Sequence, residues 1–171
     1  SVIADTVWCN DKTNVTDTSY NPWSYGGNAT GLGYGTNKTY YGATQRLVST
    51  NKIAGGTGPS LKCNGELSKI NSKVGLIIAD ELALAGYAFG LENTTTYLQE
   101  NATEEYTYWW SLSPNSFDGG YASVWDVFGS DGIFANDDVS RSFGVRPSIS
   151  LISSTTISGG SGTSEDPYVI E

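Results

Sequence analysis

The sequence predicts an α+β fold of short strands, few short helices and long ordered loops. Three observations carry that prediction. Gly, Asn, Ser, Thr and Tyr dominate, with 21 Gly among 171 residues and charged residues at only 16%. Little helix can be written in that alphabet, whereas turns and polar-aromatic surfaces can. An uninterrupted aliphatic run, Val74–Ile78, leads straight into a helical segment, Ala79–Gly86. Farther on, Tyr121–Phe128 and Ile133–Val139 read as strands joined by a Gly129–Gly132 hairpin turn.

Taken in order, Ser1–Trp8 opens with Val2, Ile3 and Ala4, then Val7 and Trp8, as a strand or a helix end. Asn10–Gly58 is mostly polar loop, and its aromatics Trp23, Tyr25, Tyr34, Tyr40 and Tyr41 are expected to pack that loop onto the core. Thr39–Val48 is dense enough for a strand or a turn of helix, and Leu61–Cys63 reads as a short strand. Val74–Ile78 reads as a buried strand. In the helix that follows, Asp80 and Glu81 meet the dipole in the first turn, Leu82 and Ala85 share the core face, and Gly86 stops it. Tyr97–Leu98 is a weak strand, before an acidic turn, Glu100–Glu105. Tyr106–Leu112 is a strand in which Trp109 and Trp110 cannot both point inward, because neighbours alternate faces. In Tyr121–Phe128, Ala122 and Val124 are expected inward and Tyr121 and Ser123 outward. Val127 then breaks the alternation and implies a bulge or a face switch near Trp125. Val145–Leu151, with Pro147 at its start or on an edge, and Thr155–Ile157 with Tyr168–Ile170 close the chain.

Bulk properties remove several function classes. The formal charge is −9 and the pI about 4.3, so a nucleic-acid partner is not expected, since phosphate binding needs clustered Lys and Arg. No apolar run reaches the roughly 20 residues of a spanning helix, so direct membrane insertion is not expected. The chain opens without an initiator Met or a leader, the pattern of a fragment or processed product. The Gly31–Thr36 stretch looks like a phosphate loop but lacks the spacing and the strand–helix context of one. There is no His, so no Cys–His pair forms. The two cysteines, Cys9 and Cys63, therefore read as a disulfide, worth about 4 kcal/mol in the chain-entropy view. Two buried free thiols are the other reading.

Two fixed-looking blocks, Tyr108–Pro114 and Phe143–Pro147, flank a stretch of different character. Asn115–Phe143 is Gly, Ser, Asp, Asn and aromatics with spaced aliphatics, as a rigid scaffold presenting a variable surface would be written. The expected outward residues are Asn115, Phe117, Asp118, Tyr121, Ser123, Asp126, Phe128, Phe134, Asn136, Asp138, Ser140 and Ser142. Tyr and Phe supply rigid contact area, and Asn, Ser and Asp supply adaptable hydrogen bonds. A sugar ligand would stack on Trp125, Phe117 or Tyr121, with carboxylates or Ca²⁺ beside it. Asp131, Asn136, Asp137 and Asp138 offer oxygen ligands suited to Ca²⁺, though not at the spacing of an EF-hand. No other cofactor is called for. The acids Asp118, Asp126, Asp131, Asp137 and Asp138 are also the candidates for a glycosidase pair. A solvated acidic hairpin explains them as well, and no enzyme activity is expected.

Three blocks carry a family resemblance. The first is Cys9–Lys12, Gly33–Thr36, Tyr40–Ala43, Arg46–Leu47 and Lys62–Cys63. The second is Val74–Glu81 with Ala85–Gly86. The third is Tyr108–Pro114, Gly144–Pro147 and Gly162–Val169. Together they resemble bacterial surface proteins with C-type-lectin-like folds, related in architecture to formylglycine-generating enzymes. Some members look like the variable proteins of diversity-generating retroelements, of bacterial or phage origin. The resemblance implies a twisted antiparallel sheet and residues 1–171 as a single C-type-lectin-like ligand-binding domain, the C-terminal part of a longer surface protein. It further implies an extracellular or cell-surface location and a protein or glycan ligand on another cell or virion. Ile78 departs from the pattern, where Thr would cap the helix. The cysteine pair of the formylglycine-generating enzymes has no counterpart after Cys63. The alternative to a binding domain is a structural subunit of a pilus, filament or virion.

Retroelement diversification leaves a trace that sequence can test. Mutating the adenines of an AAC codon cannot produce Lys, Glu, Gln, Met or Trp. By proportion Asn115–Phe143 should hold about 2.7 of the first four. It holds none, and Trp125 alone is unreachable.

Overall fold

Which of two adjacent tryptophans faces inward decides the sense of the whole sheet. In this computed structural model, which describes residues 2–24, 38–63, 67–100, 108–163 and 165–171, Trp109 is buried and Trp110 half-exposed. Both stand on β5 (Trp109–Phe117), the central strand of a five-stranded sheet. Antiparallel to it run β2 (Thr39–Tyr40) and β6 (Ala122–Phe128), and β7 (Ile133–Asp138) pairs with β6. A two-residue strand, β8 (Gly144–Val145), runs parallel to β5, with Trp109 opposite Gly144 and Trp110 opposite Val145. The two fixed-looking blocks are thus hydrogen-bonded neighbours, and the stretch between them supplies β6 and β7 of the same sheet.

The inner face is built from alternate residues of these strands. Trp109, Trp125, Val127 and Phe134 are fully buried against Leu47, Val48 and Leu82. The last three come from α1 (Gly42–Leu47) and its flank and from α2 (Ala79–Leu84). Ser123, Trp125 and Val127 share the inner face, so the expected phase of β6 is reversed: Val124, Asp126 and Phe128 lie opposite, and Ala122 is exposed. No bulge is needed there, because β6 pairs β7 without a slip from Ser123 to Phe128. The irregularity is in β5, whose register with β6 shifts on either side of Pro114, consistent with the missing proline N–H.

Helix α2 starts where expected and stops at Gly86, whose φ of +101° suits glycine. Ile78 makes no side-chain cap. Two other groups take that role: the Glu81 carboxylate accepts the Ile78 N–H at 3.0 Å, and Ser113 Oγ on β5 accepts the buried Ala79 N–H at 2.9 Å. Replacing Ser113 with Ala should therefore destabilise the fold by about 1–2 kcal/mol in urea unfolding. An unchanged midpoint would show that another group supplies the cap. Leu82 is buried as expected, but Ala85 is exposed, and Ala79 shares the core face instead.

Asp80 is more than a helix-start charge. It is buried and takes two hydrogen bonds from Arg46, Nε to Oδ1 at 2.6 Å and Nη2 to Oδ2 at 2.8 Å. Arg46 Nη1 also donates to Asp11 Oδ2 at 2.9 Å, and the Ser60 N–H donates to Asp80 Oδ1 at 2.8 Å. The Asp11 carboxyl is pushed up by burial, but bonds from Thr13 and Arg46 outweigh that and hold it below the ordinary value.

The periphery is a set of small antiparallel pairs. These are β1 (Thr6–Cys9) with β3 (Leu67–Ser72), β4 (Val74–Leu76) with β9 (Pro147–Ile149), and β10 (Ile157–Gly159) with β11 (Val169–Ile170). Val74–Ile78 is therefore not a buried strand: only its first three residues pair, and Val74 is 47% exposed. Gly75 lies flat because Trp8 covers it; a Cβ there would stand 2.2 Å from the indole. Tyr97–Leu98 opens a short helix, α3 (Tyr97–Glu100), rather than a strand, and Leu61–Cys63 is loop. Cys63 bonds Cys9 across a separation of 54 residues, as the disulfide reading expects. The expected loop glycines 26–35, Tyr25, Tyr34 and most of the acidic turn lie outside the described residues.

Candidate functional site

The β6–β7 hairpin places the candidate residues, and its length sorts them. Near the Gly129–Gly132 turn its inner face lies over the core. At the other end the same face runs past the core and opens to solvent. Phe134 and Trp125 belong to the first part: both are fully buried, their rings 4.6 Å apart and Trp125 edge-on to Phe89 at 5.7 Å. Neither faces outward, which corrects the expectation for Phe134 and removes Trp125 as an exposed stacking platform. Asn115 is also fully buried, and its carbonyl accepts the Tyr41 N–H at 3.0 Å and Thr44 Oγ1 at 2.7 Å. Asp126 is on the outer face of β6 yet only 1% exposed.

The second part of the hairpin gathers five of the expected residues. Asp118, Tyr121, Ser123, Asn136 and Asp138 line an open depression of about 340 Å³, together with Asp137 and Arg141. Pairing explains the gathering, since Ser123 sits opposite Asp138 and Trp125 opposite Asn136. Tyr121 is 62% exposed. Asp118 precedes it in a tight turn, where its Oδ1 accepts the N–H groups of Gly120 and Tyr121 at 2.7 and 2.8 Å. Slight burial raises the Asp118 carboxyl, but those two bonds and the Lys38 charge outweigh it and set it below the usual range. Asp137 Oδ1 accepts the Asp138 N–H, and Asp138 Oδ1 accepts the Ser140 N–H. Arg141 stands 3.7 Å from Asp137 with its side chain mostly in solvent.

Phe117, Phe128, Ser140 and Ser142 do not line this depression. Ser140 and Ser142 are exposed on the loop after β7, and Phe117 is half-buried at the end of β5. Phe128 joins an outer-face aromatic cluster that sequence reading assigned to the scaffold. Tyr108 packs edge-on to Phe128 at 4.3 Å, and Phe143 lies over Tyr108 at 4.5 Å and over Trp110 at 4.3 Å. Asp126 lies on this face, between Trp110 on β5 and Ala135 on β7. Its Oδ1 finds no hydrogen-bond partner among the described residues. Burial, then repulsion from Asp137, pushes its carboxyl up to about 7.

The chain matches no protein-family model, no curated protein and no solved structure. The site is therefore read from its own chemistry. The ligand set considered for Ca²⁺ is not assembled: Asp131 sits at the hairpin turn, its carbonyl accepting the Asn93 N–H, while Asp137 and Asp138 end β7. Among the described residues no group of three or more His, Cys, Asp or Glu is placed to hold a metal. A second hollow, of about 170 Å³, is lined by Leu47, Pro59, Ala83, Tyr87 and Phe89 with Arg46 at its edge. Since Arg46 is committed to Asp11 and Asp80, the hollow offers little polar chemistry. Asp137 and Arg141 are the lining residues that the list of contacts missed. Their four-residue spacing hints at a pair, but only the folded chain brings them to the same depression as Tyr121.

Proposed function

We propose that this chain is a non-enzymatic, extracellular ligand-binding domain of receptor or adhesin type, with a C-type-lectin-like fold, whose contact surface is the open end of the β6–β7 hairpin. The observation that carries this reading is the convergence of Asp118, Tyr121, Ser123, Asn136 and Asp138 on one open depression. An exposed aromatic ring amid adaptable polar groups is the composition of a recognition surface. The pairing of β5 with β8 supports it further, because the stretch that carries the surface is anchored at both ends.

Deep sequencing of this locus in a natural population tests the reading. Diversification at adenine positions is expected at exposed Tyr121, Ser140 and Ser142 and at half-buried Asp118, Ser123, Asn136 and Asp138. It is expected to spare buried Asn115, Trp125, Asp126 and Phe134. An even spread of silent changes across the chain would sink the idea of a diversified surface.

One observation favours the alternative, a structural subunit of a pilus, filament or virion. Apolar side chains are exposed along the last strands, with Ile149 at 48%, Ile157 at 61% and Val169 at 54%. Concentration-dependent assembly in sedimentation velocity, abolished by Ile157→Asp, would support that role.

A further inference from the structure

We propose that Asp126 works a pH-sensitive latch: while its carboxyl is neutral, Phe143 stays seated over the outer face of the sheet, and when it ionises the segment Ser140–Val145 lifts more often. The inference concerns this segment's own equilibrium and stands apart from what the hairpin binds.

Strand register puts Asp126 at the centre of an apolar field. Trp110 is directly opposite it on β5, and Ala135 on β7. Val124 and Phe128 flank it along β6, each two residues away on the same face. Asp126 is nonetheless only 1% exposed, and its Oδ1 has no hydrogen-bond partner among the described residues. A neutral carboxyl tolerates that setting better than a carboxylate, which needs water or a cation. Among the described residues few charges face it. β5 brings none, and β6 has no charged residue but Asp126 itself. From β7 comes Asp137, its diagonal neighbour and of the same sign. From the segment after β7 comes Arg141, 3.7 Å from Asp137 and mostly in solvent. Tyr108 adds a phenol beside Phe128. Arg146 is turned to the inner face, its guanidinium 5.2 Å from the centre of the Trp109 ring.

Ionisation therefore favours any arrangement that lets water or Arg141 reach the Asp126 oxygen. The aromatic cover is not held equally well throughout. Trp110 and Phe128 are fixed by the strands that carry them, whereas Phe143 lies on the short connection from β7 to β8. Its ring lies over Trp110 and Tyr108. The next residue closes the connection, the Gly144 N–H donating to the Tyr108 carbonyl at 2.8 Å. Ser140, Arg141 and Ser142 before it are exposed. The other end is anchored, since the Val139 N–H donates to the Ala122 carbonyl at 3.0 Å. Phe143 is thus the part of the cover that lifts at the smallest cost. Arg141 rides on the same segment, so lifting also frees the nearest cation to turn toward Asp126. Because Arg141 lines the depression, that end of the surface changes with pH.

The test is native-state hydrogen exchange of the isotopically labelled chain, read at the Gly144 amide from pH 5 to pH 8. Once Phe143 lifts, the Asp126 carboxyl meets water and ionises near its ordinary value, so the open form gains on the closed one as pH rises. After correction for the intrinsic rate, protection at Gly144 should fall about fiftyfold between pH 5 and pH 7 and level off by pH 8. Throughout, it should stay below the protection of the Leu112 amide, which donates to the Ile77 carbonyl at 2.9 Å from the body of β5. In Asp126→Asn the fall should vanish. Protection at Gly144 that does not change with pH overturns the inference, and so does a fall retained in the Asn variant. Equal protection at Gly144 and Leu112 overturns it too, since the opening is then of the whole fold. If the Asn variant does not fold, Phe143→Ala decides. Followed by ¹³C NMR, the Asp126 carboxyl should titrate about one unit lower, or more, without the ring. An unmoved midpoint overturns the latch.

Discussion

Replacing Arg46 with Met is expected to destabilise the fold by about 3–5 kcal/mol, because it leaves two buried carboxylates without their cation. Asp80 is only 1% exposed and Asp11 7%, so water cannot take over the guanidinium's role. The three charges tie together segments remote in sequence. Asp11 follows β1, Arg46 is on α1, Asp80 is in the first turn of α2, and Ser60 adds its N–H from the loop between. A loss of this size is a large fraction of the roughly 5–15 kcal/mol that holds a typical domain folded. Urea unfolding by tryptophan fluorescence measures it. Removing the stranded charges as well, with Asp11→Asn and Asp80→Leu in the Arg46→Met background, should recover part of the loss, since a buried ionic cluster and an apolar replacement are often close in energy. If the single change costs under about 1 kcal/mol, the cluster does not organise the fold.

Stability is expected to fall as pH rises from about 4 to about 7, and Asp126 is the cause. In the unfolded chain its carboxyl ionises near 3.8, and in the folded chain near 7. Between those values the folded state binds more protons, so each step up in pH favours unfolding. Asp126 therefore contributes its full stability below the unfolded value. That contribution is lost progressively across the window, and the loss ends above about 7, at a total of about 4 kcal/mol. Asp11 and Asp118 lie below the ordinary carboxylate value, so what they contribute is lost only in more acidic solution, outside this window. The comparison to make is wild type against Asp126→Asn from pH 4 to pH 8. The difference between the two should swing toward the variant by about 4 kcal/mol, whatever its absolute offset. Parallel curves would mean that the Asp126 oxygen has a partner in solution, such as a bound water.

The hairpin and helix α2 were legible because local chemistry specifies them. Gly129 and Gly132 have φ of +64° and +62°, and Gly86 ends the helix, so glycine marks each turn. The direction of β6 was not legible. Its two faces carry Trp125 and Val127 against Val124, Asp126 and Phe128, and hydrophobicity alone does not rank them. Burial of Trp125 with Val127 fixes the phase, through contacts from Phe89 and Phe134 that only the fold supplies. Val74–Ile78 misled for the same reason. A run of aliphatics reads as a central strand, but here Gly75 is the bed for Trp8, a residue far away in the chain. Within the site, Tyr121, Ser123 and Asp138 could be read from composition as polar and aromatic surface. Their meeting with Asp137 and Arg141 depends on strand register, and the separation of Asp131 from Asp137 depends on the length of β7.

The ionic cluster has a consequence for the order in which the molecule matures. Asp11 lies two residues beyond Cys9, and Ser60 three residues before Cys63, so the charges join the same two segments that the disulfide joins. Before oxidation, folding around Arg46 would already bring the two thiols together. The correct bond then forms from a prearranged pair instead of by chance encounter across a 54-residue loop. The stabilisation it adds, about 4 kcal/mol in the chain-entropy view, acts on the unfolded chain, where the cluster no longer holds the two segments together. The cysteines lock an arrangement that the aspartates and the arginine create.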